Sequence, residues 1–382
     1  MKAKLYDQDT FYQIPWNEIA NGAYVRGFFE HLVKDGVQHY IENVKTELFF
    51  IRIDTLLLPI TKNEQQYENS YVCSPYTHYI SYAKEELWEL GNKHLEKFFE
   101  KMISILGFFL RKGSFNKVVI VNNWLLSTNL YSNQLTSKQI KEITACLTKT
   151  FPEHTIMFRS LNNRLHRSMM SDFLKEGYEK IMSRSVYLLD EDTQRNFTQK
   201  EKKLLRQDAA LFKKHEIKAV ETLSSLEEAS SYAHKLYSQL YIHKYSVHNP
   251  QFNMRFFTEA MKKNLLQFKW IKNEDVVGVI GYFTVHSVFT TPILGYCTEK
   301  GRQLGLYRML SYMITKEIID HGYTGHRSAG ASEFKRKRGA KQYIEYNVIY
   351  QEHLPLSRKW PWLLVKWVMD RVVEPMALKR EF

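Results

Sequence analysis

The chain is poor in the residues that build disulfide scaffolds, metal cages and flexible linkers. Of its 382 residues only three are cysteine, namely Cys73, Cys146 and Cys297. They are widely spaced and form no C-x-x-C pair, which argues against a zinc knuckle or a thioredoxin-like site. An odd, scattered set fits a reducing compartment. The 14 histidines contain no H-E-x-x-H or comparable ligand spacing, so no metal is expected. A G-x-S-x-G elbow is also missing, which removes the usual signature of an acyl-enzyme hydrolase. No run of 18 apolar residues occurs, and the opening MKAKLYDQDTFYQIP has early basic residues without a following apolar stretch. These features predict a cytoplasmic protein with no transmembrane segment. The 9 prolines and 16 glycines form no tract, so no long flexible linker is expected.

What is present is a folding sequence with basic character. The hydrophobic fraction is 44%, enough for a core, and the length suits about two domains. Aromatic residues reach 14%, which supplies core and cleft walls. The net charge of +13 suits an anionic partner such as nucleic acid, a lipid surface or a phosphorylated cofactor, and equally a merely basic solvated surface.

Strand and helix patterns alternate along the first half. Residues 48–60, LFFIRIDTLLLPI, read as two strands about a turn at Asp54-Thr55. Helical spacing covers 84–109, with Leu87 and Leu90 among its apolar positions, and further helices are expected over 137–149 and 165–176. Residues 117–121, 155–159 and 185–189 are strand candidates. The charged, glycine-free stretch 193–215 reads as a solvated bridging helix. The second half then runs strand 217–223, helices 226–240 and 254–263, a hairpin across Asn273-Glu274-Asp275, strand 292–297, helix 306–319 ended by Gly322, and strand 341–350.

That order, together with GRQLGLYRMLSYMITKEIIDHG from Gly301, SAGASEFKRKRGA from Ser328 and IEYNVIYQEHLP from Ile344, resembles the GCN5-related N-acetyltransferase (GNAT) superfamily. Within it, the chain resembles the subgroup that holds the BioF2-like acetyltransferases and the tandem-domain Fem-type peptidyl transferases. The resemblance implies an α/β chain of tandem GNAT-like domains, each a mixed, mostly antiparallel sheet flanked by helices. The expected division is a degenerate GNAT-like domain over 1–192, the bridging helix over 193–215, a GNAT acyltransferase domain over 216–352 and a basic, Trp-containing tail over 353–382.

The resemblance also implies N-acyl transfer from acetyl-CoA or another acyl-CoA to an amine of a small molecule or peptide, without metal. Family members bind the coenzyme A pyrophosphate with an R/Q-x-x-G-x-G/A loop at a helix start. Here that loop corresponds to Arg302, Gln303, Leu304, Gly305, Leu306 and Tyr307, followed by Arg308. Free amides at a helix start attract an anion in any case, and Gly305 permits close approach. Tyr307 departs from the small residue of the family pattern, which leaves an aminoacyl-tRNA donor, as in Fem-type relatives, as the alternative.

Other candidates follow from local chemistry and from the resemblance. The stretch YIHKYSVHN is the candidate acceptor region, with Tyr241, Lys244, Tyr245 and Asn249 as substrate contacts and His243 as a proton acceptor. In FKRKRG four cations stand in a row and invite an anion, so Ser328, Lys335 and Arg338 join the substrate contacts. The resemblance points to Tyr346 as proton donor to the leaving thiolate, with Glu345 beside it. Strand alternation places those two on opposite faces unless a bulge intervenes. A noncatalytic basic binder on the same fold is the third reading. For it, the tail's tryptophans among cations suit peripheral contact with a membrane, or equally a helix packed on the domain.

Overall fold

The first apolar runs of the sequence become a meander. Strands β1 (Lys4–Tyr6), β2 (Glu47–Ile53) and β3 (Leu56–Asn63) pair antiparallel in turn. Asp54 makes the tight β2–β3 turn in the left-handed region, at φ 52°. This is a computed structural model, and it describes residues 2–85, 87, 91–131 and 134–379. Leu90 of the expected 84–109 helix and residues 380–382 of the expected tail lie outside the described residues.

The chain divides into two compact units. The first comprises Met1–Ser183, Ser246–Gln251 and Glu345–Lys379. Its sheet runs β1-β2-β3-β4-β5-β12, where β4 is Val118–Val121, β5 is Thr155–Asn162 and β12 is Lys341–Tyr350. All neighbours are antiparallel except β4 and β5, which are parallel. The long helix Lys93–Lys112 starts at Asn92, whose side chain caps the amides of His94 and Leu95. Helix Leu356–Val368 buries Pro361, Trp362 and Val365 in a cluster with Leu110, Phe115, Ile120 and Met157.

The second unit comprises Arg184–Tyr245 and Phe252–Ile344. Its sheet runs β7-β8-β9-β10-β11-β6, with β6 Glu179–Leu189, β7 Lys218–Val220, β8 Gln267–Lys272, β9 Val276–Val285, β10 Val288–Tyr296 and β11 Thr324–His326. Three antiparallel pairs are again followed by one parallel pair, β10 with β11, and one antiparallel pair, β11 with β6. The two units therefore carry the same six-strand order. Helix Leu306–Asp320 buries Leu306, Met309, Leu310, Met313, Ile314 and Ile318 against this sheet. Helix Leu226–Tyr237 comes so close to β10 that a Cβ on Gly295 would lie 2.6 Å from the Leu236 and Tyr237 backbone.

The α/β arrangement with two similar mixed, mostly antiparallel sheets flanked by helices is the architecture expected from the sequence. The division along the chain differs from the one expected. The sixth strand of the first sheet, β12, comes from beyond the second unit's segment, whereas that of the second sheet, β6, leads directly into its own unit, so residues from Glu345 onward complete the first unit and residues from Arg184 open the second. The expected bridging helix is Gln199–Lys214, and it is an ordinary member of the second unit. Leu205, Leu211 and Phe212 pack on that unit's core, and Asp208 is wholly buried.

Candidate active site

Strands β10 and β11 run side by side only where Val288, Phe289 and Thr290 face Thr324, Gly325 and His326. Past that point β10 shifts register between Thr290 and Ile293, then continues against β9 as far as Tyr296. The chain leaving β11 follows β6 instead. The Arg327 amide donates to the Tyr187 carbonyl at 2.8 Å, and the Tyr187 amide donates to the Ser328 carbonyl at 3.2 Å. The two strands thus diverge and leave a wedge between residues 293–296 and 327–331. Along the wedge, the β10 edge that faces away from β9 has lost its β11 neighbour. Backbone amides on such an edge need acceptors.

Aromatic rings gather at the mouth. Tyr296 closes β10, and its ring lies 6.4 Å from that of Tyr307, which in turn lies 4.8 Å from Phe334. The phenols of Tyr245 and Tyr296 are neighbours, each acting on the other's ionisation. Burial raises the pKa of both phenols and pushes Tyr307 up to about 12, so all three stay protonated at neutral pH. Lys244 Nζ stands 5.8 Å from each of the Tyr245 and Tyr296 rings. The Tyr241 ring stacks on Tyr237 at 4.9 Å and meets Tyr245 edge-on at 5.9 Å. These residues sit on a π-helical turn, Ser238–Tyr245, that widens the end of helix Leu226–Tyr237. Such widenings turn side chains out of the ordinary helical register. His243 is on the same turn and is exposed.

The anion-loop residues form a bend between two helices. Arg302, Gln303 and Leu304 end helix Thr298–Leu304, with Arg302 and Gln303 exposed. Gly305 is left-handed at φ 71°, and helix Leu306–Asp320 begins. The amides of Leu306 and Tyr307 occupy the first turn, where no acceptor exists within the helix. Gly305 is roofed over, because a Cβ there would lie 2.9 Å from Leu211 Cδ1.

Two of the four FKRKRG cations, Lys335 and Arg338, have buried partners, while the buried Nε of Arg336 has none among the described residues. Lys335 is buried, and its Nζ donates to the carbonyls of Arg327 at 2.5 Å, Ala329 at 2.7 Å and Ser328 at 3.3 Å. Burial, with Arg327 and Arg184 nearby, holds its pKa well below the usual lysine range. Arg338 is buried on Asp208, while Arg308 Nε reaches the same carboxylate at 2.6 Å. Ser328 is left-handed at φ 55°, and its amide donates to His326 Nδ1 at 3.3 Å. Of the four cations in this run only Lys337, not among the expected contacts, is exposed, in an ion pair with Glu333.

The structure brings together Tyr241, Lys244, Tyr245, Arg302–Arg308, Ser328, Lys335 and Arg338 in the second unit. It places Glu345, Tyr346 and Asn249 in the first. The β12–β5 register shifts between Tyr346 and Val348, and Glu345 and Tyr346 are both buried. Tyr346 donates to Glu374 Oε1 at 2.5 Å, and burial together with that carboxylate raises its pKa strongly. Asn249 donates to the Ser246 carbonyl, and its own carbonyl accepts from Asn43 at 2.8 Å. Sequence reading missed Asp208, Tyr296 and Arg327. Arg327 is buried, donating to Ser311 Oγ at 2.7 Å and Thr315 Oγ1 at 2.9 Å. The spacing of Ser311 and Thr315, one helical turn apart, was the only available signal for that last site. Among the described residues, no group of His, Cys, Asp or Glu side chains is placed to hold a metal ion.

No family model matches the sequence, and no curated protein matches it. Solved structures do resemble it. L-PGS from Bacillus licheniformis is 16% identical, with a TM-score of 0.43 over 62% of this chain and 79% of that one. FemX is 10% identical, with a TM-score of 0.44 over 62% and 80%. A tandem GNAT protein from the clavulanic acid biosynthesis pathway is 7% identical, with a TM-score of 0.38 over 93% and 99%.

Proposed function

We propose that the wedge between β10 and β11 takes an acyl donor and that the protein is an N-acyltransferase acting on an amine of a small molecule or peptide. The divergence of the two strands carries this reading, since it frees a row of β10 backbone groups without unfolding the sheet. An extended acyl-CoA arm would hydrogen-bond to that edge as a missing strand does. Its pyrophosphate would meet the first turn of helix Leu306–Asp320, with Arg302 and Gln303 beside it.

In the transfer, the neutral amine attacks the thioester carbonyl carbon. The C–N bond forms as the oxyanion draws on β10 amides. The C–S bond then breaks, and the thiolate takes a proton from Tyr296, beside Tyr245; the resulting tyrosinate regains a proton from solvent. The amine's surplus proton leaves to His243 or to solvent. Tyr241, Lys244 and Tyr245 border the acceptor.

A second reading, transfer of an aminoacyl group from tRNA, is favoured by the packing at the loop. Tyr307 against Phe334 and Leu211 over Gly305 occupy space that a pyrophosphate would need. The +13 charge suits the larger anion. A cytoplasmic location is part of both readings.

Titration calorimetry with acetyl-CoA, on wild type and Arg302→Glu, is the test. Saturable binding that the exposed charge reversal weakens several-fold supports the first reading. Binding of aminoacyl-tRNA alone moves the assignment to the second, and binding of neither leaves a noncatalytic protein.

A further inference from the structure

An apolar surface is left open on the first unit along helix Lys93–Lys112. Six of its large apolar side chains are exposed, namely Leu95, Phe98, Met102, Ile105, Phe108 and Phe109. This is not a core stripe that the fold simply failed to cover. The helix already has a packed side, on which Gly107 and Leu110 are buried and Ile103 and Leu106 touch the cluster around Phe115 and Trp362. Leu95, Phe98, Met102, Ile105 and Phe109 recur at three- and four-residue steps and form a second, outward stripe. Exposed apolar patches of this kind mark contact with a protein or a membrane.

Charge chooses between those partners. The helix carries five lysine or arginine residues, Lys93, Lys97, Lys101, Arg111 and Lys112, against two acids, Glu96 and Glu100. Lys101 lies three residues after Phe98 and four before Ile105, while Lys112 lies three after Phe109 and four after Phe108. Both therefore border the outward stripe. Glu100 lies three residues before Ile103 and four after Glu96, on the side of the packed face. Phenylalanine-rich apolar stripes edged by lysine suit the boundary between lipid headgroups and acyl chains of an anionic bilayer.

A second helix of the same unit also exposes apolar side chains. Leu356, Leu363 and Trp367 are exposed at seven- and four-residue steps, at 79%, 46% and 60% of full exposure, with Lys366 beside Trp367. The two helices meet where a Cβ on Gly113 would strike Pro361 and Trp360. Exposed tryptophan suits the interfacial region of a bilayer, while Lys366 is held by Asp370.

We propose that helix Lys93–Lys112, extended by Leu363 and Trp367, docks the protein on an anionic lipid surface. The apolar stripe enters the headgroup boundary while Lys101 and Lys112 meet the lipid charge. This docking is peripheral, because among the described residues no helix is long and apolar enough to cross a membrane.

The experiment is sedimentation of the full chain with vesicles of phosphatidylcholine alone and of phosphatidylcholine mixed with phosphatidylglycerol. Wild type should bind the mixed vesicles, and less so as salt rises. Lys101→Glu/Lys112→Glu should weaken that binding about 30-fold or more. Phe98→Ser/Ile105→Ser should abolish it while circular dichroism and the melting temperature stay near wild type, since both side chains are exposed. Failure of wild type to bind mixed vesicles overturns the proposal, as does binding that the serine variant leaves unchanged. A wild-type dimer in light scattering that Phe98→Ser/Ile105→Ser converts to monomer, without vesicle binding, assigns the stripe to a second copy instead.

Discussion

Arg338 and Asp208 are joined by two hydrogen bonds, Nε to Oδ2 at 2.5 Å and Nη2 to Oδ1 at 3.0 Å, with the Asp208 side chain wholly buried and that of Arg338 only 6% exposed. The same carboxylate holds Arg308, so one acid fixes helix Gln199–Lys214 to the start of helix Leu306–Asp320 and to the end of helix Ser332–Arg336.

Removing the acid strands the buried Arg338 guanidinium, whereas Arg308, 38% exposed, can turn to water. Asp208→Ala is expected to cost about 3–5 kcal/mol in urea unfolding. The double change Asp208→Leu/Arg338→Met should cost less than either single change, because no unpaired charge is left inside. Arg338→Lys keeps the charge but loses the fork and should lower stability clearly. Lys337→Ala, at the surface, should shift it by less than about 0.5 kcal/mol.

Lys335 makes stability depend on pH in an unusual direction. Its folded pKa lies well below the unfolded value near 10.5. Between those two values the unfolded chain binds more protons, so stability rises as pH rises through that window. Below the folded pKa the burial cost of the ammonium is present in full. In Lys335→Met, unfolding free energies measured from neutral pH upward should lose this rise, and an equal slope in both proteins would contradict the assignment.

Gly305 combines left-handed backbone with a roof. Gly305→Ala is expected to cost about 1–2 kcal/mol from the backbone alone, plus the contact with Leu211. Pairing it with Leu211→Ala should relieve the contact but not the backbone strain. Thermal melts of the single and paired variants separate the two parts. Loss of donor binding in a Gly305 variant therefore has meaning only for a chain shown to be folded.

The two tyrosine candidates differ in surroundings. Tyr296→Phe should lower turnover about 10²-fold or more if its hydroxyl protonates the leaving group. Tyr346→Phe should chiefly affect stability, by about 1 kcal/mol, since its hydroxyl is engaged by Glu374. Steady-state rates and melts of both variants test this, and the reverse order of rates would return the proton donor to Tyr346.

Elements with strong local signals were legible in the sequence. Asp54-Thr55 between two apolar runs gave the β2–β3 turn, and Asn273-Glu274-Asp275 gave the β8–β9 turn. Gly322 closes its helix with φ 66°. What could not be read depends on distant partners. β11 is three residues long and exists because β10 and β6 flank it. Asp208 looks like one more charge on a solvated helix until Arg338, 130 residues later, pairs with it. The cations of FKRKRG pointed to an anion, and for Arg338 the anion is internal. The wedge itself is a divergence of strands, which leaves no mark in composition or period.

The origin of each sheet's sixth strand bears on how the protein is made and how it can be cut. The first unit's β5 edge stays open until synthesis has passed Glu345, so the nascent N-terminal half presents an unpaired strand long after its own helices have emerged. A fragment ending near residue 190 carries that open edge permanently and should aggregate, and a fragment beginning there lacks β6 altogether. A circular permutant that joins the segment after Glu345 to the original N-terminus would place every strand of the first sheet in one contiguous stretch.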